Sequence, residues 1–451
     1  MEKNTMKKRK LTIEEGLYLL LAGTALLALI LYVSFCLDNL MHSDTTAEVI
    51  LSKFLADRNE LISKEWFYST EIRVIYTQLV MVPLFKIFSS YRLVKLLSVF
   101  IYYAVLLYAW HMLTKRFTLE KKWIFLGLAL LLAPLSNEYL DMMFIGCFYT
   151  TQTICMYLVL SFVLKEKKNR KMWIREGIVL SILSVLLGMT GLRYLASLYL
   201  PMLLAFLLFP VLERDGNKKE NWQNITFSLL LTGFTGIGFL INKFYLAVQY
   251  SFDTTSEVSF VPIDEIPDRF LTSIRLMLEF MGYRQIRVVT PLGIVNAVKC
   301  LFFLAFIAMI VALFRKRMEL TGKERFLLYF FLMLFLINWY MLIFTDVLQQ
   351  YRYWLPVYVT GAVLICVFMQ HFRPATVFQK PLLCAFLALV VLSSLYGELW
   401  QDVKYNDCAK RYAYMDFLEN NDYDFGYATF WNASVTEYLS LIHISEPTRR
   451  S

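Results

Sequence analysis

The sequence predicts an all-α polytopic membrane protein, and three observations lead to that prediction. First, 58% of the residues are hydrophobic and only 18% are charged, whereas an ordinary soluble domain is about 45–50% apolar and about 25% charged. Second, the apolar residues form long runs, and a helix needs roughly 20 of them to cross a bilayer. Third, Lys and Arg cluster in the short segments between the runs, as cytoplasmic loops do.

Eleven apolar runs predict membrane helices, and the third and fifth are the shortest. The runs are Leu17–Leu37, Leu93–Leu113, Trp123–Ser136, Cys147–Leu164, Gly177–Gly191, Leu195–Leu212, Ile225–Leu246, Leu292–Phe314, Phe326–Phe344, Trp354–Gln370 and Pro381–Tyr396. They define a transmembrane module over residues 17–397, which follows a cytoplasmic segment at residues 1–16.

The basic residues predict the orientation of these helices. Cytoplasmic loops carry the excess of Lys and Arg, so the cluster from Lys3 to Lys10 places the N-terminus in the cytoplasm. Four later loops share this excess and alternate onto the same side: residues 115–122, 165–175, 214–219 and 315–325. An odd number of crossings then leaves the C-terminus outside.

The apolar segment Val74–Phe88 is predicted to be a helix or re-entrant turn at the outer interface. It is short and contains Pro83, and counting it as a crossing would invert every later loop. The alternative is a poor transmembrane helix. The outer face then carries a loop at residues 38–91 and another at residues 247–291, where any chemistry is expected.

Residues 398–438 predict the start of an extracytoplasmic α/β domain. A helix is expected near Asp407 to Glu419, and a strand is expected from Phe425 to Trp431 after a turn-rich segment. The natural protein is expected to continue past Tyr438, so this α/β segment is expected to be truncated.

The last residues, 439–451, are expected to be foreign to the natural protein. Leu439–Arg449 has the sequence LSLIHISEPTR, which resembles the translation of a transposon-end sequencing adapter letter for letter. Such a tail has no place in a fold prediction.

Cysteine, histidine and net charge exclude several classes of protein. The seven Cys have no paired spacing and the four His are not at ligand spacing, so neither a disulfide framework nor a zinc site is predicted. The net charge of +9 reflects the basic loops of a membrane protein, so nucleic acid is not an expected partner.

Asp44 and Glu48 begin the first outer loop and would share one face of a helix that starts there. Ser43, Asp44 and Thr45 also suit helix capping, and Thr45 with Glu48 fits a capping box. Capping is therefore one interpretation. The other is catalytic: Asp44, held where lipid meets water, acts as a general base on an acceptor hydroxyl, and Glu48 orients it.

Glu138 and Asp141 form a second acidic pair, three residues apart near the end of a predicted helix. Two acidic loops that face one cavity are able to bind a divalent cation or to position an acceptor. The alternative is that these carboxylates merely end a membrane helix in water.

Arg193 and Arg352 each lie where a predicted helix meets the outer interface. Guanidinium groups match phosphate geometry, and ionisable groups near membrane depth are usually functional. Gly188 and Gly191 would let a phosphorylated headgroup approach the backbone before Arg193. The alternative is ordinary snorkelling of Arg beside interfacial aromatics. Further candidates in the loop at residues 247–291 are Arg269, Arg275, Arg284 and Arg287.

This arrangement resembles the GT-C superfamily of membrane glycosyltransferases, which use polyprenyl-phosphate-linked sugars as donors. The resemblance spans most of the chain. It rests on Asp44 at the start of a long first outer loop, on the interfacial segment with Pro83, and on the run from Tyr351 to Pro356, which is similar to an Arg-Tyr-x-x-Pro pattern of that superfamily. The chain also looks like multi-spanning proteins of low-GC Gram-positive bacteria, which implies a bacterial cytoplasmic (plasma) membrane.

The resemblance implies a role for each candidate residue. The implied roles are acid-base catalysis for Asp44 beside Glu48, support from Glu138 or Asp141, and binding of the lipid phosphate by Arg193 and Arg352 with Tyr351 and Tyr353. The implied partners are a polyprenyl-phosphate-linked sugar donor and membrane lipids. A divalent cation, Mg²⁺ or Mn²⁺, stays open, because Asp44 is followed by Thr45 where the commoner pattern has a second acidic residue.

Two other classes compete with this hypothesis. A transporter or flippase for a lipid-linked or polar substrate also needs a large apolar bundle, and it predicts ionisable residues at mid-helix positions, where His111 and Lys299 lie. A non-catalytic scaffold for envelope assembly would leave Asp44, Arg193 and Arg352 freely replaceable.

Overall fold

The described part of the chain is almost entirely helical in this computed structural model. It comprises residues 11–68, 72–165, 170–212, 218–252, 258–404, 409–423, 425–427, 429–440 and 443–445. Within it, the only sheet pairs β1 (Phe425–Tyr427) with β2 (His443–Ser445) in parallel. The basic cluster from Lys3 to Lys10 lies outside the described residues.

The helices of the first half are α1 Ile13–Leu40, α2 Ser43–Arg58, α3 Gln78–Phe85, α4 Tyr91–Thr114, α5 Lys121–Leu132, α6 Asn137–Leu140, α7 Thr150–Val163, α8 Arg170–Gly188, α9 Leu200–Leu212, α10 Lys218–Ile241 and α11 Ala247–Gln249. Those of the second half are α12 Ile266–Phe280, α13 Pro291–Arg315, α14 Gly322–Phe344, α15 Leu355–His371, α16 Gln379–Ser394, α17 Gln401–Lys404, α18 Ala409–Asn420 and α19 Phe430–Ser440. Short π-helical segments are Asp141–Ile145, Leu195–Tyr199, Asn242–Leu246 and Leu395–Trp400, and 3₁₀ turns are Ile263–Glu265, Arg317–Glu319 and Tyr351–Trp354.

The all-α polytopic architecture is confirmed, but the count of eleven membrane helices is wrong. Among the described residues, eight helices are long and apolar enough to cross a membrane, or nine if one bent pair counts as a single span. Three of the expected crossings do not form a single helix that is long and apolar enough to cross a membrane. They begin at Trp123, Cys147 and Gly177. The helix in the second of these, α7, has 14 residues, a length of about 21 Å against a bilayer core of about 30 Å. The third, α8, has charged first turns.

The bend after α5 accounts for the other missing crossing. The two helical parts Lys121–Leu132 and Asn137–Ile145 meet at 105°. Ala133 adopts an extended backbone, as residues before proline do, and Pro134 follows it. The Ser136 hydroxyl then accepts the N–H of Tyr139 at 3.2 Å and begins α6.

Polar contacts identify two ends of the bundle. At one end, Lys122 at the start of α5 pairs with Glu14 at the start of α1, 2.9 Å apart. At the other, Arg92 at the start of α4 pairs with Asp38 near the end of α1, 3.0 Å apart. We call the end with Lys122 the basic end and the end with Asp38 the site end.

The close packing of α8 against α10 depends on glycine residues. A Cβ on Gly188 would lie 2.1 Å from the carbonyl oxygen of Thr235, and one on Gly238 would lie 2.1 Å from the carbonyl oxygen of Val185. Small residues let membrane helices approach in this way. Gly191, in the turn after α8, has φ +111°, a conformation that favours glycine. The two glycines before Arg193 therefore have structural roles.

The β-strand after α17 is shorter than the sequence predicts. The helix α18 matches the expected one as far as the chain is described, since Asp407 lies outside the described residues. The strand ends at Tyr427 and α19 begins at Phe430, so the expected strand to Trp431 is wrong. The first turn of α19 takes the place of the strand there, and the N–H groups of Asn432 and Ala433 donate to the Thr429 carbonyl in that turn.

Candidate functional site

His42 connects the first two helices to the bend after α5. Its Nε2 lies 3.1 Å from each carboxylate oxygen of Asp141 and 2.8 Å from the Thr45 hydroxyl oxygen. Asp141 opens a π-helical segment directly after α6. The bend at Pro134 therefore brings an acidic residue to a histidine 99 positions earlier in the chain.

His42 also occupies the N-cap position of α2, but no side chain caps that helix. The hydrogen bonds of the described residues include no capping of α2 by Ser43, Asp44 or Thr45. Thr45 contacts the His42 ring, and Glu48 turns to other partners.

The electrostatic surroundings raise the pKa of His42 above 6.5. Burial by itself lowers the pKa, because it disfavours the charged ring. The hydrogen bond and negative charge of Asp141 outweigh that effect, with Asp44 acting in the same direction and Lys95 against it. The His42 side chain remains 37% exposed, so it is open to solvent at the site end.

Glu48 lies one turn further along α2 and is mostly buried. It accepts hydrogen bonds from Gln78 and from the Thr77 hydroxyl, the latter at 3.4 Å, and pairs with Arg73 at 3.5 Å. Burial raises the pKa of Glu48, and the positive charges of Arg73 and Lys95 oppose that rise. These partners come from the segment around α3, so Glu48 ties α2 to the predicted interfacial helix.

Asp44 is exposed on the first turn of α2. Within the part of the chain that the structure describes, its carboxylate makes no hydrogen bond or ion pair. Its charge nonetheless acts on both His42 and Glu48. Asp44 is thus close enough to influence the cluster by its charge, but no partner among the described residues orients it.

Lys95 lies beneath this cluster with 1% of its surface exposed. Its ammonium donates to the Gly146 carbonyl at 3.4 Å and interacts electrostatically with Asp141 and Glu48. A cation on a membrane helix is costly unless paired. Lys95 therefore balances the two carboxylates above it.

Glu138 links Arg352 to the same cluster of charged residues. Its carboxylate lies 3.9 Å from Arg352, accepts a hydrogen bond from the Tyr351 hydroxyl, and interacts with the charges of Asp141 and His42. The Arg352 side chain is 32% exposed. Tyr351 and Tyr353 both pack against the hydrophobic core. The structure thus joins Arg352 and Tyr351 to the acidic residues.

Arg193 lies beside the cluster. Its guanidinium carbon is 5.0 Å from the centre of the Tyr149 ring, a distance typical of a cation–π contact. Tyr149 follows Phe148, whose ring is 6.2 Å from the ring of His42. Arg193 is therefore connected to the site through two consecutive aromatic residues.

A second group of charges lies under the bend. Glu398 is 1% exposed and pairs with Lys299 at 2.5 Å and with Arg284. Lys299 also donates to the Leu135 carbonyl at 2.6 Å, and Arg284 donates to Asn137 at 2.9 Å. These contacts hold α13 and the π-helical segment after α16 to the bend that carries Glu138.

The other arginines of the outer loop have different surroundings. Arg269 donates to the carbonyls of Leu342 and Val347 near the end of α14, so its role is structural. Arg275 forms an exposed pair with Glu279 at 3.6 Å, and Arg287 is exposed. As for the divalent cation, no group of three or more His, Cys, Asp or Glu among the described residues is placed to hold a metal.

The sequence alone did not indicate His42 and Lys95 as site residues. The position of Lys95 inside an apolar run could have indicated it, since an ionisable residue in such a run is a functional candidate by default. His42 had no such indication beyond its position near Asp44, because its partner Asp141 is distant in the chain.

Comparison with known proteins adds no assignment. No model of a protein family matches the chain, and no curated protein matches it. The case for a function therefore depends on the geometry of the site end.

Proposed function

We propose that this chain is a membrane glycosyltransferase that moves a sugar from a polyprenyl-phosphate donor to an extracytoplasmic acceptor with inversion. One observation carries the proposal: Arg352 meets the acidic cluster of Glu138 and Asp141 at the same end of the bundle as Asp44 and His42. A donor of this class needs a cation for its phosphate and a base for the acceptor, both at the lipid boundary.

The proposed reaction is one displacement at the anomeric carbon. The acceptor oxygen forms a bond to that carbon, the bond from the carbon to the phosphate oxygen breaks, and the polyprenyl phosphate leaves with the electron pair. Arg352 stabilises the charge on the departing phosphate, and Arg193, which contacts Tyr149, is the second cation assigned to it. The acceptor proton passes to a basic group of the α2 start, where Asp44 and His42 are the two placed for it.

The orientation and the family resemblance belong to the same proposal. With the N-terminus in the cytoplasm of a bacterium, α1 ends outside and the site end faces away from the cytoplasm. The basic loop around Lys122 then lies inside, in agreement with the positive-inside rule. This placement suits the GT-C layout, in which the donor's lipid chain lies between helices.

Replacing Arg352 by Ala tests the proposal. The full chain in proteoliposomes is given a panel of polyprenyl-phosphate hexoses and pentoses together with envelope acceptor, and release of polyprenyl phosphate is measured. We expect Arg352→Ala to lower the rate by about 100-fold to 1000-fold, as losing a group that stabilises developing charge does. Arg315→Ala, an exposed arginine at the basic end, is the control. Equal rates for wild type and Arg352→Ala would refute the proposal.

A transporter or flippase is the second candidate, and one observation favours it. Lys299 and Glu398 form a buried ion pair within two helices of membrane-spanning length. Buried ionisable pairs mark substrate or proton paths in many transporters. This class predicts that the intact donor crosses the bilayer without losing its sugar.

A further inference from the structure

We propose that His42, oriented by Asp141, is the group that accepts the proton of the acceptor hydroxyl. This inference rests on the proposed function and names the base for that same site. It gives His42 the catalytic role and makes Asp141 a positioning residue, whereas sequence analysis assigned the role of base to Asp44.

The first step is the tautomer of His42. An ionised carboxylate only accepts hydrogen bonds, and both oxygens of Asp141 lie 3.1 Å from Nε2. Nε2 must therefore carry the hydrogen. In the neutral ring the other nitrogen, Nδ1, then holds a lone pair, and among the described residues it has no hydrogen-bond partner.

The second step is the fixed position of the ring. The Thr45 oxygen, 2.8 Å from the same Nε2, belongs to a fully buried side chain. The Phe148 ring lies 6.2 Å from His42, centre to centre, and is itself buried. The ring is thus held on its Asp141 side, while 37% of the side chain is open to solvent, where an acceptor approaches.

The third step is the comparison with Asp44. Asp44 is exposed and lacks an orienting partner in the described part of the chain, whereas Asp141 and Thr45 hold the ring of His42. An imidazole suits proton transfer near pH 7. The raised pKa of His42 also favours His42 as the base, because the negative charge of Asp141 stabilises the protonated ring.

Charged groups from every neighbouring element act on His42. They are Asp141 on the π-helical segment, Asp44 on α2, Lys95 on α4 and Glu138 on α6. Three carboxylates favour the protonated ring and one ammonium opposes it. A proton taken from the acceptor is therefore stabilised on His42 while the phosphate leaves.

The proton balance of the step is complete. The acceptor O–H bond breaks, its proton moves to Nδ1 of His42, and its oxygen bonds the anomeric carbon as the phosphate departs. Asp141 keeps its negative charge throughout and stabilises the imidazolium. The proton returns to water when the ring regains its neutral form.

The test compares two histidines, each paired with an acid. His371 lies at the basic end, 3.1 Å from Glu324, so His371→Gln is a matched control for His42→Gln. In the transfer assay we expect His42→Gln to lower the rate by about 100-fold to 10,000-fold, and His371→Gln to leave it unchanged. Asp141→Asn is expected to move the acidic limb of the pH profile to lower pH, because the ring loses its anionic partner.

A second readout needs no donor. Diethyl pyrocarbonate modifies neutral imidazole, so its rate on the His42 peptide, followed by mass spectrometry, gives the titration of the ring. We expect the midpoint in the wild type above pH 6.5 and a lower midpoint in Asp141→Asn.

The outcomes are distinguishable. An active wild type with an equally active His42→Gln variant, or equal midpoints for wild type and Asp141→Asn, would refute the role of His42 alone. A wild type that transfers from no donor in the panel would refute the proposed function and the base role together.

Discussion

Lys299 is among the residues whose position is costliest, because it carries a cation into a membrane helix with 1% of its surface exposed. Glu398 offsets that cost at 2.5 Å. The same logic applies to Lys95 under the site. Both lysines were visible in the sequence as charges inside apolar runs, but their partners were not, since those lie on distant segments.

Replacing Lys299 by Met is expected to destabilise the protein strongly. Removing one partner of a buried ion pair leaves an uncompensated charge and costs about 3–5 kcal/mol. Thermal denaturation in detergent measures the effect. Lys316→Met, an exposed lysine at the end of α13, is expected to change little. Comparable loss in both variants would contradict the buried pair.

The His42–Asp141 pair is expected to make stability depend on pH. Because the folded state raises the pKa of His42, the contribution is fully present below about pH 6.5 and is lost as pH rises through the raised pKa. Because the ring is partly exposed, solvent screening limits this contribution to below about 1 kcal/mol. Denaturation midpoints of wild type and His42→Gln should converge at alkaline pH. A difference that grows with pH would contradict this account.

At the scale of elements, apolar runs predict helices well and predict bends poorly. The run Leu17–Leu37 became α1, Ile13–Leu40, because a capping box of Thr12 and Glu15 starts that helix. The run from Trp123 instead ends at a 105° bend. Pro134 and Ser136 indicate that bend, but a prediction based only on the length of apolar runs does not take them into account.

The contact of α8 with α10 should fail when glycine is replaced. Gly188→Leu or Gly238→Leu places side-chain atoms where the partner backbone lies, so the helices must separate and the folded yield in detergent should fall. Gly233 and Gly236, also on α10, have nothing within 4 Å. Their replacement by Ala should be neutral or stabilising by up to about 1 kcal/mol. Equal tolerance at all four positions would contradict this packing.

At the scale of the whole molecule, the site is assembled from four separated segments. His42, Lys95, Asp141 and Arg352 lie on different elements. The sequence predicted Asp141 and Arg352 from their positions at helix ends, but it did not single out His42 or Lys95. It could not predict which of them meet, because that depends on the bend after α5 and on the packing of α4 against α7.

The two ends of the bundle should be accessible from opposite sides of the membrane. Asp57→Cys at the site end and Lys316→Cys at the basic end, both exposed, are introduced with Cys300 and Cys408 replaced by Ser. A membrane-impermeant thiol reagent should label position 57 in intact cells and position 316 only after permeabilisation. The reverse pattern would contradict the proposed orientation.

The most direct measurement of the central claim follows the fate of the donor. Sealed proteoliposomes containing the full chain receive a polyprenyl-phosphate sugar with label in both the sugar and the lipid, together with envelope acceptor. The account predicts that the labels separate, with sugar in the acceptor and free polyprenyl phosphate in the membrane. Recovery of the intact, doubly labelled donor in the opposite leaflet would contradict it and would identify a transporter.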